Sequence, residues 1–208
     1  MNKYFFYRRS MLCQKNMVAD LVPVDIVINL MICTAWRTAT NRTKTIPIYH
    51  CCTGQQNPIT WQQFVELILK YNRMHPPNDT IWWPDGKCHT FAIVNNVCKL
   101  FQHLLPAHIL DFIFRLRGKP AIMVGLHEKI DKAVKCLEYF TMQQWNFRDD
   151  NVRQLSGELS PEDRQIFMFD VKQIDWPSYL EQYILGIRQF IIKDSPETLP
   201  AARSHIKK

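Results

Sequence analysis

The 208-residue chain has only six glycines, and none precedes Gly54. Phosphate-cradling loops need glycine where the backbone must approach the ligand closely, so these residues supply neither a dinucleotide fingerprint nor a P-loop. No serine stands in Gly-x-Ser-x-Gly, which excludes a nucleophile elbow. None of the seven tyrosines has a lysine four residues later, a spacing that activates a phenol for hydride-transfer chemistry: Tyr139 is followed by Gln143, Tyr179 by Tyr183 and Tyr183 by Ile187. The seven cysteines, an odd number at positions 13, 33, 51, 52, 88, 98 and 136, contain no C-x-x-C, a pattern of reduced, packed thiols in an intracellular protein. Cys88, His89 and Cys98 come nearest to a zinc set, but one Cys-His pair lacks the convergent spacing a metal requires, and no metal is expected.

Long apolar runs are also scarce. The longest uncharged stretch, residues 45–65, is interrupted by Pro47, Gly54 and Pro58, whereas a bilayer-crossing helix needs ~20 mostly apolar residues, so no transmembrane helix is expected. Twenty-six basic residues against 19 acidic ones give a net charge of +7, yet they are spread along the chain without a recognition motif, and no nucleic-acid partner is expected. What is abundant is core material. With 47% hydrophobic and 12% aromatic residues the chain can offset its conformational entropy and fold. Lys3, Arg8, Arg9 and Lys15, with no acid before Asp20, mark residues 1–19 as a basic tail.

Local signals predict a mainly helical chain. Residues 21–37 read as an extended entry into a buried helix with Asp25 as its cap. Ile46–Cys51 is a strand candidate, 53–58 a turn, and Thr60-x-x-Gln63 a capping box that opens a helix through Tyr71. Breakers at His75–Asp79 and Trp82–Gly86 suggest a boundary between about 75 and 92. Beyond it, 93–105 and 107–117 read as two apolar helices separated at Pro106, and 126–146 as an amphipathic helix. Ser160-Pro-Glu-Asp163 is a capped helix start, and Asp175-Trp176 begins the last helix.

Candidate chemistry is sparse. The adjacent acids Asp149-Asp150 and Glu162-Asp163 sit at expected helix ends, where capping explains them. The histidines at 50, 75, 89, 103, 108, 127 and 205 have no evident partner nearby in sequence. Leu104–Leu116, with Arg115, Arg117 and Lys119 at its end, reads as a buried core helix, with an interfacial helix as the alternative.

Aromatic and acidic clusters at uneven spacing carry a more specific signal. Leu105-Pro106 with Asp111, Glu128-Lys129-Ile130, Tyr139-Phe140, Trp145-x-Phe147, Asn151-Val152-Arg153, Leu159-Ser160-Pro161-Glu162-Asp163, Phe167-x-Phe169-Asp170, Asp175-Trp176, Tyr179 and Gly186-Ile187-Arg188 follow in order. This part, from about His103 to Arg203, resembles the helical carboxy-terminal domain of the alcohol-forming fatty acyl-CoA reductases, the male-sterility protein family, and most of all its insect members. Val22-Pro23-Val24-Asp25-x-Val27-x-Asn29, Ile48-Tyr49 and Asn57-Pro58-Ile59-Thr60 are similar to the last part of that family's extended short-chain reductase domain.

The resemblance implies a mainly α fold with a small α/β remnant: an unmatched tail at 1–19, the end of a Rossmann-type reductase domain at 20–90, and the helical domain at 91–208. It implies NADPH as cofactor and long-chain acyl-CoA as substrate, reduced to fatty alcohol through an enzyme-held aldehyde by a tyrosine and a lysine. It further implies endoplasmic reticulum or peroxisomal membranes as the location. The glycine motif and the tyrosine-lysine pair are missing here, so no catalytic, cofactor-binding or metal residue is assigned. The expectation is an amino-terminally truncated reductase, inactive alone, with apolar surface exposed at Val24 to Ala35. The alternative is a non-catalytic protein that binds acyl chains, a membrane surface, a full-length reductase or another copy of itself.

Overall fold

Pro23 cannot donate an amide and fixes the chain in extended geometry, and the first long helix begins immediately after it. The computed structural model describes residues 10–78 and 86–206, with side chains through 204. In chain order its elements are β1 (Ser10–Leu12), β2 (Val18–Ala19), α1 (Val24–Thr40), β3 (Ile59–Thr60), α2 (Trp61–Met74), β4 (Lys87–His89), α3 (Ala92–Lys99), a π segment (Leu100–Leu104), α4 (Leu105–Leu116), α5 (Met123–Thr141), α6 (Asp150–Glu158), α7 (Pro161–Ile166) and a 3-10 turn (Val171–Gln173). They continue with α8 (Trp176–Gly186), a second π segment (Ile187–Ile192), a 3-10 turn (Pro196–Thr198) and α9 (Leu199–Ile206). The chain is mainly helical, and its strands are two or three residues long. Lys3, Arg8 and Arg9 of the basic tail, and the Trp82–Asp85 breakers, lie outside the described residues.

The residues form two compact units that do not follow chain order: 1–17, 60–144 and 177–208 make one, 18–59 and 145–176 the other. In the first, β1 pairs in parallel with β4, Met11 opposite Cys88. This ladder brings Cys13 and Cys88 to a Cα separation of 5.5 Å, and their sulfurs are bonded. The expectation that all the thiols are reduced is thereby corrected: 75 residues separate the two cysteines, and only the ladder makes them neighbours.

The Thr60 box forms as the sequence suggests, its hydroxyl accepting from the Gln63 amide at 3.2 Å while the Gln63 side chain accepts from the Thr60 amide at 2.9 Å. The apolar stretches flanking Pro106 are not separate helices. They run unbroken from Ala92 to Leu116, because the π segment loosens the turn ahead of the proline and relieves the clash its ring would cause in an α-helix. At 25 residues this helix is long and apolar enough, by length and composition, to cross a bilayer, a length the sequence did not show because Pro106 divides it. Its C-terminal half packs on α5, whose first amides are held by the preceding helix: Asp111 Oδ1 accepts from Met123 N at 2.8 Å and Oδ2 from Val124 N at 2.9 Å. Burial alone would raise the Asp111 carboxyl, but the amides of Val124, Met123 and Ile122 and the Arg115 charge outweigh it and hold the group below the usual carboxylate range.

Also in this unit, Arg188 is buried, with Nε 3.2 Å from the Pro76 carbonyl oxygen, Nη2 2.6 Å from Thr198 Oγ1 and Asp194 alongside. His75 Nε2 lies 2.7 Å from Glu181 Oε1. The chain end differs from expectation, because α9 follows α8. Leu180 and Ile184 of α8 are buried, whereas Tyr183 and Ile191 are exposed.

The second unit is built on α1. Ile26, Leu30 and Cys33, spaced by four and three, form a core with Leu155, Leu159, Phe169 and Val171. Truncating a fully buried leucine such as Leu155 to alanine costs ~2–5 kcal/mol. No side chain caps α1; Asp25 sits in its first turn, where the helix dipole favours it. Ser160 does cap α7, its Oγ accepting from Asp163 N at 3.0 Å, and Pro161 takes the first helical position. Residues 46–51 have no regular secondary structure and pair with no strand, so the expected β-strand is absent.

Candidate functional site

Helix α1 is apolar on two faces, and only one of them is buried. Opposite the Ile26 stripe, Val24, Ile28, Met31, Ile32 and Trp36 are exposed, Val24 to 75% and Met31 to 61%. The expectation of exposed apolar surface from Val24 to Ala35 holds, and the expectation of a buried helix holds for half its circumference.

Between α1, the irregular stretch 41–51 and α6 lies an open groove of about 1250 Å³, wholly within the second unit. Its walls are Val27, Leu30, Met31, Ile46, Pro47 and Leu155. Thr34, Asn41, Arg42 and Thr43 supply polar groups on its lining, and Asn151 Nδ2 donates to the Ile48 carbonyl at 2.7 Å, tying the stretch to α6. Arg37, also in the lining, is bonded twice to Glu158, with Nη2 3.1 Å from Oε1 and Nε against Oε2, so its charge is satisfied within the protein. Arg42 is exposed and pairs with no described carboxylate. The groove therefore combines an apolar floor with one cation, Arg42, that has no ion pair among the described residues, an arrangement suited to an apolar chain that carries an anionic head.

A second, smaller pocket, of about 260 Å³, is lined by Cys51, Cys52, Gln56, Asp149 and Arg153 among others. Its thiols are poor nucleophiles. Burial, with Asp20, Asp149 and Cys51 adding to it, pushes Cys52 up to about 11, and burial and Asp20 also raise Cys51. Cys33 is raised by burial and Asp163. Asp149 does not cap α6 as expected: its carboxylate meets Gln56 Nε2, 93 residues away in sequence, and Arg153 Nε at 3.1 Å. Asp150 pairs with Arg148 at 2.9 Å and with Arg153.

The Cys88, His89 and Cys98 set does not assemble, because Cys88 is bonded to Cys13, and among the described residues no three metal-ligating side chains cluster. His50 Nδ1 is 2.9 Å from the Arg148 carbonyl oxygen, the His103 and His127 rings lie 5.0 Å apart, and His108 is exposed. The side chain of His205 lies outside those described. A pyrophosphate cradle is not present at Gly54, Gly118, Gly125, Gly157 or Gly186. A Cβ at Gly54 would meet only ordinary contacts, and at the other four it would meet open space. The described residues therefore do not fit a nicotinamide dinucleotide, and no step is derived through one.

The aromatic and acidic signature is structural. Phe169 is buried in the core, Trp176 Nε1 donates to the Asn57 carbonyl at 3.1 Å, Asp170 Oδ1 accepts from Lys172 N at 3.1 Å, and Arg188 anchors the chain end. Residues 102–194 match the family described as male sterility protein. Over 200 residues, 96% of this chain, it is 35% identical to fatty acyl-CoA reductase 1 of Rattus norvegicus, of which it covers 39%. Over 202 residues, 97% of this chain, it is 34% identical to fatty acyl-CoA reductase 2 of Bos taurus, again covering 39% of the relative. The chain thus spans about two fifths of the length of the curated relatives it matches. With its signature residues serving as caps and anchors, the chain is similar over nearly all of its length to part of the fatty acyl-CoA reductases, and over residues 102–194 to the male sterility protein family.

Proposed function

We propose that these residues are the substrate-side and helical part of an NADPH-dependent reductase that converts long-chain acyl-CoA to fatty alcohol at the endoplasmic reticulum or peroxisomal membrane. In this reading residues 20–90 derive from the reductase domain and 91–208 form the helical domain. Hydride transfer belongs to residues this chain does not have, so the 208-residue chain alone is inactive and carries no catalytic, cofactor-binding or metal residue. The supporting observation is the groove beside α1, whose apolar floor suits an acyl chain and whose Arg42 suits a phosphate.

The test has two readouts. The purified chain is expected to bind a fluorescent long-chain acyl-CoA and to oxidise no NADPH in its presence. Met31→Asp, which places a charge on the groove wall, is expected to weaken binding at least tenfold. Turnover by the wild-type chain overturns the assignment of inactivity; absence of binding, or binding indifferent to Met31→Asp, overturns the groove. The second reading, a non-catalytic partner of an intact reductase or of a second copy, is favoured by the exposed outer face of α1. Its signature is co-purification with a full-length relative that Ile28→Glu abolishes.

A further inference from the structure

The 25-residue helix from Ala92 to Leu116 has one face committed to the protein and one face open. On the committed side Asn95, His103, Ala107 and Asp111 are buried; Asn95 Oδ1 accepts from Ser10 Oγ at 2.6 Å, and Asp111 holds the first amides of α5. On the open side Val97, Phe101, Leu105, Ile109, Phe112 and Leu116 are about half to three quarters exposed, at steps of four, four, four, three and four. A four-residue repeat drifts by ~40° per step around an α-helix, and the wider turns of the π segment at Leu100–Leu104 take back part of that drift. The exposed side chains therefore stay in one stripe along roughly 28 Å of helix, at ~1.5 Å per residue.

Charge along the helix is arranged to match. Of its three formally charged residues, Lys99 is paired with Asp131 and Asp111 is consumed by amides, which leaves Arg115. Arg115 sits at the C-terminal end beside Arg117 and Lys119, all exposed and none ion-paired within 4.0 Å among the described residues, where Gly118 turns the chain at φ +64. Between Gly86 and Pro120 there are five basic residues and one acid.

We propose that this stripe is a lipid-contact surface: the helix lies in the plane of an anionic membrane with the Phe101 and Phe112 side in the acyl region and Arg115, Arg117 and Lys119 on the headgroups. It lies on the membrane and does not span it, because a spanning helix would have to free Asn95 and Asp111 from their partners. A lipid occupant fits the layout, apolar along the length and cationic at one end with no accessible acid on the helix, in which charge complementarity favours anionic headgroups. The proposal does not depend on the acyl-CoA reading, since lipid binding and turnover are read separately.

The test is sedimentation of the 208-residue chain with preformed vesicles of phosphatidylcholine alone and with about a third phosphatidylserine. The chain is expected to partition onto the anionic vesicles and to dissociate on dilution. F101E/F112E is expected to reduce partition at least tenfold, and R117A and K119A by about fivefold each on anionic vesicles only, the equivalent of ~1 kcal/mol per basic residue. Far-UV circular dichroism confirms that the variants fold; R117A and K119A lie at exposed positions outside the helix and keep the test decisive if the double variant does not fold. Absence of vesicle binding, binding unaffected by these variants, or insertion that dilution does not reverse overturns the proposal. So does a wild-type dimer that F101E/F112E converts to monomer with no change in lipid partition, because the stripe is then the contact between copies.

Discussion

The indole of Trp176 donates to Asn57 across 119 residues of sequence, its Nε1 lying 3.1 Å from both the backbone carbonyl oxygen and Oδ1. The Asn57 amide in turn donates to the carbonyls of Val171, at 2.9 Å, and Ile174, at 2.7 Å. One asparagine thus satisfies three groups of the 171–176 segment, and the turn after Gly54 is what carries it.

This network predicts an ordering of variants. Trp176→Phe keeps an aromatic ring but removes the donor and the pyrrole half of the indole, at about 1–2 kcal/mol. Asn57→Ala strands the carbonyls of Val171 and Ile174 while the indole keeps the backbone carbonyl of residue 57, at about 2–3 kcal/mol. Urea midpoints of the two variants against wild type check the ordering, which fails if Trp176→Phe is the more damaging.

Asp111 predicts an acid-sensitive component of stability. Its folded pKa is depressed, so the carboxylate stabilises the fold above its ordinary value of 3.8, and that contribution disappears as pH falls from there through the folded value. Asp111→Asn is expected to cost ~2 kcal/mol near neutral pH, where two charge-assisted bonds to α5 are lost. The gap between variant and wild type should close below about pH 4. Unfolding midpoints across pH 3 to 7 check this; a gap that persists unchanged at pH 3 refutes it.

Thiol reactivity should divide by burial. Relative to an ordinary thiol at 9.0, Cys52 at about 11 has about a hundredfold less thiolate at pH 8. Cys136 is exposed and should alkylate first with iodoacetamide, with Cys33 and Cys52 labelled slowly. Time-resolved peptide mass spectrometry reads the order, and early labelling of Cys52 contradicts the packing described for it.

Features that depend on residues three or four apart were legible in the sequence. The Thr60 and Ser160 caps and the helix expected at 126–146, observed at Met123–Thr141, are of this kind, because the groups that bond lie on one turn. Features that depend on distant partners were not. Ile46–Cys51 has the composition of a strand but no ladder partner, Asp149 meets Gln56 instead of its own helix end, and Cys13 finds Cys88 only through strand pairing. Pro106 misled for a different reason: a proline normally marks a break, and nothing in composition announces a π turn that lets the helix pass through it. The groove beside α1 was visible only as an expected excess of apolar surface, since its walls come from residues more than a hundred positions apart.

The interleaving of the two units has a consequence for how the protein is made. The polypeptide changes unit four times, after Met17, Ile59, Gln144 and Trp176. On the ribosome, every residue of the Val18–Ile59 and Trp145–Trp176 unit has been polymerised while the other unit still lacks Pro177–Lys208, and with it the arginine that closes on Pro76. Ser10–Leu12, with its ladder on Lys87–His89, must therefore wait for Pro177–Lys208 before its own unit is complete. Neither unit is one continuous segment of these 208 residues, and a coding sequence for either alone would have to join segments that translation keeps apart.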